Sequence, residues 1–223
     1  GERVGITSRV GLYPYQDSVK IKKFNIPVIA IAGTCMDSGK TVAACSLISR
    51  LRKMNLSVNA CKATGISLRR DILAMEDAGA IRTMIFSDFG IVSTSVNNAS
   101  SLTKLLLNHL SEDSPDIIVI ELGDGLMGSY GVESILKDKA IKDILSSVIL
   151  CANDPVAAWG GTKLLRERYD IEPSLITGPA TDNTAGSEVI NKTLNLKAIN
   201  ALSDGQNFGT AAAESINLIS KGQ

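Results

Sequence analysis

The chain has 223 residues, 44% of them hydrophobic, with 23 basic and 23 acidic side chains and a formal net charge of zero. That length suits one large domain or a domain with an appendage, and the even charge balance argues against the net-basic footprint of a nucleic-acid binder. The sequence holds no apolar run long enough for a spanning helix, which needs about 18 residues, and no secretory signal is visible. Residues 1–25 carry glycines, a proline, two tyrosines and several basic side chains. They read as an extended arm or, preferably, as the remnant of a preceding domain. From residue 26 onward, short β-branched runs alternate with helical spacing. Strands are predicted at 26–32 and 57–63, with a helix at 41–54 on Val42, Cys45, Leu47, Ile48 and Leu51. A helix is predicted at 69–80, the segment 83–91 fits neither period, and 100–110 is helical through Leu102, Leu105, Leu106 and Leu110. The run DIIVIEL at 116–122 has the unbroken apolar character of a strand buried on both faces. A strand at 147–152, a helix at 155–169 opening on Pro155, a strand at 173–178 and a helix at 184–194 follow. A short strand at 197–200 and a helix at 209–219 close the pattern. Strands alternating with helices predict an α/β domain over 26–223, with a mostly parallel central sheet flanked by helices and right-handed crossovers.

The segment that leaves the first strand reads GTCMDSGKT. Backbone N–H groups of a turning, glycine-containing loop converge on one point. The N-terminus of the following helix adds unpaired donors and partial positive charge. Lys40 suits the β- and γ-phosphates and the Thr41 hydroxyl suits Mg²⁺. Gly33, Thr34, Cys35, Met36, Asp37, Ser38, Gly39, Lys40, Thr41 and Val42 are the expected cradle of a P-loop NTPase fold. The usual pattern, G-x-x-x-x-G-K-[ST], places its first glycine where Thr34 stands; here the glycine comes one residue earlier, at Gly33. Asp37 would repel phosphate unless it turned outward or met a metal, and it receives no catalytic role.

Candidate partners of the loop lie at later strand ends. Glu121 closes the apolar 116–122 strand and is the first choice for a Mg²⁺ ligand, with Asp124 second. Asp88, in FSDFG, is a further metal candidate or a turn residue. Lys62 ends the second strand and could stabilise a transferring phosphoryl group. Arg69 and Arg70 could receive a substrate carboxylate or simply line an exposed helix face. Gly123, Gly125 and Gly128 surround Glu121 with backbone that a ligand can approach closely. CANDP at 151–155 follows a late strand, at the edge where a base would lie, or its Asn153 and Asp154 cap a helix before Pro155, and Trp159 is expected in the core. The four cysteines lack C-x-x-C spacing and fit a reducing, cytoplasmic setting. His109 falls near a helix end, where a structural role is expected.

GTCMDSGKTVAACSLI resembles the phosphate loop of dethiobiotin synthetase and its relatives, G-T-D-T-x-V-G-K-T, which carries the same displaced glycine. In that comparison Cys35 replaces an aspartate, Met36 a threonine and Ser38 a valine. VNACKATG is similar to the family's strand ending in Lys-Pro, with Lys62 as the lysine and Ala63 for the proline. ELGDGLMG resembles E-G-A-G-G-L, which makes Glu121 the metal-binding glutamate and sets Gly125 and Leu126 in register. Asn183, in GPATDN, is similar in position to the family's base-contacting asparagine. A second P-loop family, which includes proteins described as D-glutamate N-acetyltransferases, is echoed by ATGIS at 63–67, SDF at 87–89 and ELGDGL at 121–126. The likeness runs over roughly residues 26–180.

The first resemblance implies a Mg²⁺- and ATP-dependent ligase-type enzyme. ATP would activate a carboxylate or carbamate by phosphoryl transfer for attack by an amine, with Lys40, Lys62 and Glu121 catalytic and a homodimer as the assembly. Adenine is preferred to guanine because the chain has no N-K-x-D run. The second implies acyl transfer from an acetyl-coenzyme A type donor to an amino acid. A non-enzymatic ATP switch is the third reading, and Cys35, where such switches carry an extra lysine, argues against it.

Overall fold

The computed structural model describes residues 11–218. Seven strands form one sheet: β1 (Val28–Gly33), β2 (Val58–Lys62), β3 (Arg82–Ile85), β4 (Ile117–Glu121), β5 (Leu145–Cys151), β6 (Leu175–Thr177) and β7 (Lys197–Ala198). Every pairing is parallel, in the order β3-β2-β4-β1-β5-β6-β7. The helices are α1 (Lys40–Lys53), α2 (Arg69–Asp77), α3 (Ala99–Leu110), α4 (Val132–Lys137), α5 (Lys139–Lys142), α6 (Pro155–Tyr169), α7 (Thr184–Leu194) and α8 (Gly205–Ser215).

The two-residue period of β1 splits its side chains between two cores. Val28, Ala30 and Ala32 face α3, α6 and α7, while Ile29 and Ile31 face α1 and α8. Apolar residues on both faces leave the strand no solvated side. The result is a three-layer sandwich in which the carboxyl ends of β1, β2 and β4 open on one edge. Among the described residues no helix is long and apolar enough to cross a membrane.

Several local expectations are corrected. The ambiguous 83–91 segment is β3 followed by a 3₁₀ turn, Phe86–Phe89, which Gly90 closes at φ 74°. Residues 129–146, for which the pattern predicts no element, contain α4 and α5; helices this short show too few periods to read. Asp138 starts α5 by accepting from the amides of Ala140 and Ile141 at 3.0 and 3.4 Å. The last helix begins at Gly205 rather than 209, and residue 219 lies outside the described residues. Its placement comes from packing: a Cβ at Gly209 would sit 2.4 Å from the Cβ of Arg50, so glycine lets α8 approach α1 closely. Trp159 is not in the core. It is 48% exposed, with the Lys163 ammonium 5.2 Å from its ring, because α6 turns Ala158, Gly161, Thr162 and Leu165 toward the sheet instead.

Residues 1–10 lie outside the described part of the N-terminal segment. Residues 11–25 form no regular element and run as a strap over α3. Asn108, 6% exposed, donates to the Lys20 carbonyl at 3.0 Å and accepts from the Lys22 amide at 2.7 Å. His109 packs against the rings of Tyr13 and Phe89, at centroid distances of 4.5 and 5.7 Å, in a cluster of three.

Candidate nucleotide site

The loop between β1 and α1 closes tightly over its first residue. A Cβ at Gly33 would lie 2.3 Å from Ser38 Oγ and 2.8 Å from Lys40 Cδ, so glycine, one place ahead of the usual motif, leaves the room that the Ser38 and Lys40 side chains occupy. Asp37 and Gly39 take left-handed backbone, at φ 56° and 90°, and Asp37 is exposed. The loop is tied on both sides: the Thr34 amide donates to the Cys151 carbonyl on β5, and the Leu126 amide donates to the Gly33 carbonyl, each at 2.9 Å.

At the start of α1, Gly39 offers no side-chain cap and the first turn carries no acid. The first amides of α1 therefore lack a protein anion, which is the state that attracts a phosphate. Lys40 arches back over the loop. Its ammonium donates to the Cys35 carbonyl at 2.7 Å and to Ser38 Oγ at 3.4 Å, and Ser38 Oγ donates to the same carbonyl at 2.9 Å. Burial lowers the Lys40 pKa below the ordinary lysine value, against the opposing pull of Glu121.

Next to Lys40, the Thr41 hydroxyl donates to Glu121 Oε1 at 3.0 Å. Glu121 is 2% exposed and its Oε2 is buried without a hydrogen-bond partner. Burial raises its pKa, and the opposing pull of Lys62, then the Thr41 hydrogen bond, then Lys40, does not cancel this. A buried carboxylate with one unused oxygen beside a hydroxyl matches the hard-oxygen chemistry of Mg²⁺, which keeps several waters and phosphate oxygens of its own. Thr41 and Glu121 fit such an ion. Among the described residues no cluster of three or more His, Cys, Asp or Glu side chains is grouped for a metal.

Lys62, at the end of β2, forms an ion pair with Asp71 in the first turn of α2. Both side chains line a cavity of about 460 Å³ in front of the loop, together with Lys40, Thr41, Glu121, Asp124, Ile66, Leu68 and Tyr130. Asp71 is the residue that sequence reasoning missed. An acid in the first turn of a helix that begins just after a strand-end loop was the available signal. Asp124 reaches the cavity wall, but its Oδ2 accepts from the Tyr130 amide at 3.3 Å and serves its own turn. Arg70 stands at the rim, largely exposed. Asp88 is not brought to Thr41 and Glu121: its carboxylate accepts from the Ile85 amide at 2.9 Å, and the charge acting on it is that of Arg69.

On the other side of the loop, Asn153, Asp154, Pro155, Pro179, Ala180 and Asn183 line a second groove of about 370 Å³. It adjoins the loop, for a Cβ at Gly178 would fall 2.4 Å from the Ser38 carbonyl, and Asn153 Nδ2 reaches Cys35 Sγ at 3.3 Å. Asn183 Oδ1 caps α7 through the Gly186 amide, and Asp154 Oδ1 caps α6 through the Ala157 amide, each at 2.8 Å.

Solved structures share this fold. The signal recognition particle receptor FtsY from Elizabethkingia anophelis superposes with a TM-score of 0.59 at 14% identity, over 88% of this chain and 67% of that one. FtsY from Thermotoga maritima gives 0.59 at 13% identity, over 92% and 74%. The signal recognition particle 54 kDa protein from Aeropyrum pernix, solved in complex with GDP, gives 0.57 at 16%, over 91% of this chain and 49% of that one. The chain has the P-loop NTPase fold. At these identities the likeness carries the fold alone, and it does not extend to the dethiobiotin synthetase and acetyltransferase resemblances. No family model matches the sequence, and comparison with curated proteins gives no match.

The P-loop leans on the loop after β4 at one crowded point. A Cβ at Gly125 would meet the Thr34 carbonyl at 2.6 Å and Cys35 Cα at 2.8 Å. Gly125→Ala is expected to push the P-loop out of place, costing about 1–3 kcal/mol of stability and about tenfold in nucleotide affinity. Thermal denaturation and titration calorimetry measure the two effects.

Proposed function

We propose that the protein binds Mg²⁺–ATP at its P-loop and transfers the γ-phosphoryl group to a small carboxylate or carbamate, forming a mixed phosphoric anhydride whose carbonyl carbon an amine then attacks with release of inorganic phosphate. The observation that carries this reading is the pairing of an uncapped α1 N-terminus and Lys40 with the Thr41–Glu121 pair, whose second carboxylate oxygen is unused. The loop amides and Lys40 would hold the phosphate chain and balance its charge. Thr41 and Glu121 would hold Mg²⁺, which supplies neutralisation of the β- and γ-oxygens when bound. Lys62 would face the acceptor, with Asp71 fixing its ammonium. The loops after β2 and β4 would keep water from the acceptor side. A homodimer in the cytoplasm is the proposed setting, and light scattering with and without nucleotide tests the assembly.

A second reading, GTP in place of ATP, is favoured by one observation. Among the described residues Asp154 is the one carboxylate lining the groove beside the loop, and a carboxylate is the acceptor that the N1–H and N2–H₂ donors of guanine require. The GDP complex of the Aeropyrum pernix protein supports the same choice. Calorimetry with ATP, GTP and acetyl-coenzyme A, each with and without Mg²⁺, decides between the readings. Tighter Mg²⁺-dependent binding of ATP supports the first. Tighter binding of GTP, weakened about tenfold by Asp154→Ala, supports the second. Binding of acetyl-coenzyme A alone moves the activity to acyl transfer. Nucleoside diphosphate release on adding carboxylate and amine substrates tests the chemistry.

A further inference from the structure

Three loops meet on the acceptor side of the site, and one buried hydroxyl joins them. Thr94 lies between the Phe86–Phe89 turn and α3 and is 4% exposed. It does not line the cavity in front of the P-loop. Its Oγ1 donates to the Tyr130 carbonyl at 2.7 Å and accepts from the Gly65 amide at 2.9 Å. Its own amide donates to the Gly65 carbonyl at 3.0 Å. Gly65 and Tyr130 both line that cavity, on the neighbouring loops after the paired strands β2 and β4. The seam continues beyond Thr94: Ser93 bridges Ile66, and the Ser67 amide donates to the Val92 carbonyl at 2.9 Å.

Gly65 takes φ 113°, and Gly131, next to Tyr130, takes φ 90° with its missing Cβ 2.4 Å from the Ser95 carbonyl. A threonine or serine hydroxyl donates and accepts at once, whereas a valine of the same shape does neither. Its loss would strand a buried amide and a partly buried carbonyl on two different loops.

We infer that Thr94 is a positioning residue for the phosphoryl acceptor: beside the direct bond from Thr64 Oγ1 to the Gly123 carbonyl at 2.8 Å, its hydroxyl ties the Gly65 end of the loop after β2 to the Tyr130 end of the loop after β4. It acts through those loops and touches neither nucleotide nor acceptor. The inference rests on the proposal that the Lys62 cavity takes the acceptor. The Thr34 amide ties the P-loop directly to β5, and the Leu126 amide ties Gly33 to the loop after β4, so loss of the Thr94 hydroxyl is expected to affect nucleotide affinity less than turnover.

The test compares Thr94→Val and Thr94→Ser with the unaltered protein, with Thr94→Ala replacing the valine variant if that does not fold. Amide hydrogen exchange is expected to quicken about fivefold or more in both the 63–67 and 126–131 segments of Thr94→Val, with α1 unchanged, and to return to normal in Thr94→Ser. ATP affinity stays within about twofold. Mg²⁺-dependent nucleotide turnover falls about tenfold, through acceptor KM and kcat together, and serine restores it. Unchanged exchange in either loop, failure of serine to restore it, or ATP binding lost along with the hydroxyl would overturn the assignment. If the unaltered protein binds no nucleotide, the proposed function fails on its own, and the exchange result still decides whether Thr94 holds the two loops together.

Discussion

Lys40→Ala is expected to weaken Mg²⁺–nucleotide binding at least 100-fold, about 2.7 kcal/mol, while the protein stays folded. The ammonium is buried, and burial lowers its pKa. In the free protein it is satisfied by the Cys35 carbonyl and, more weakly, by Ser38 Oγ. Removing it takes away a desolvated charge along with two neutral acceptors' partner, so the change in stability is small, within about 1 kcal/mol. In the complex the same ammonium faces phosphate oxygens in a low-dielectric pocket, where a charge-assisted bond is far stronger. Calorimetry and thermal denaturation on the same sample check both halves. Nucleotide affinity that survives the substitution removes the P-loop reading of the site.

Glu121→Gln is expected to move stability and function in opposite directions. The carboxylate is 2% exposed, has one oxygen without a partner and is disfavoured as an anion by burial. A neutral carboxamide can still accept from Thr41 and no longer needs a cation. The free protein is expected to gain about 1 kcal/mol, a rise of a few degrees in Tm. The same substitution is expected to abolish the contribution of Mg²⁺ to nucleotide affinity. In the unaltered protein, chelating Mg²⁺ should weaken binding about tenfold or more, and in the variant it should change nothing. A Mg²⁺ effect that persists in Glu121→Gln would place the ion elsewhere.

The parts of this protein that were legible in the sequence are those whose cause is local. The unbroken apolar runs of β1 and β4 mark strands with two buried faces, and α1 shows its amphipathic period within 14 residues. Gly33 and Gly39 announce a strand-to-helix turn, and Pro155 after Asp154 announces a cap, because each is a constraint on adjacent backbone. Helices α4 and α5 were illegible since 6 and 4 residues carry too little periodicity. Trp159 was misjudged because composition ranks tryptophan as buried, while the small residues of α6 are what the sheet accepts.

Sheet order made the site. Strand β4 comes after β3 in the chain yet inserts between β2 and β1. That places Glu121 beside Thr41, 80 residues away, and aligns it with Lys62 on the other side. No local pattern encodes that insertion, which follows from how strands buried on both faces share one core. Asp71 reaches Lys62 only because α2 returns over the open edge of β2, and Thr94 reaches Gly65 and Tyr130 only because three loops converge there. Short-range backbone preferences, read along the chain, account for the strands, the P-loop turn and the caps. The cation pair, the Lys62 cavity and its walls are long-range contacts, and they arise from the packing free energy of the whole sheet rather than from any segment of it.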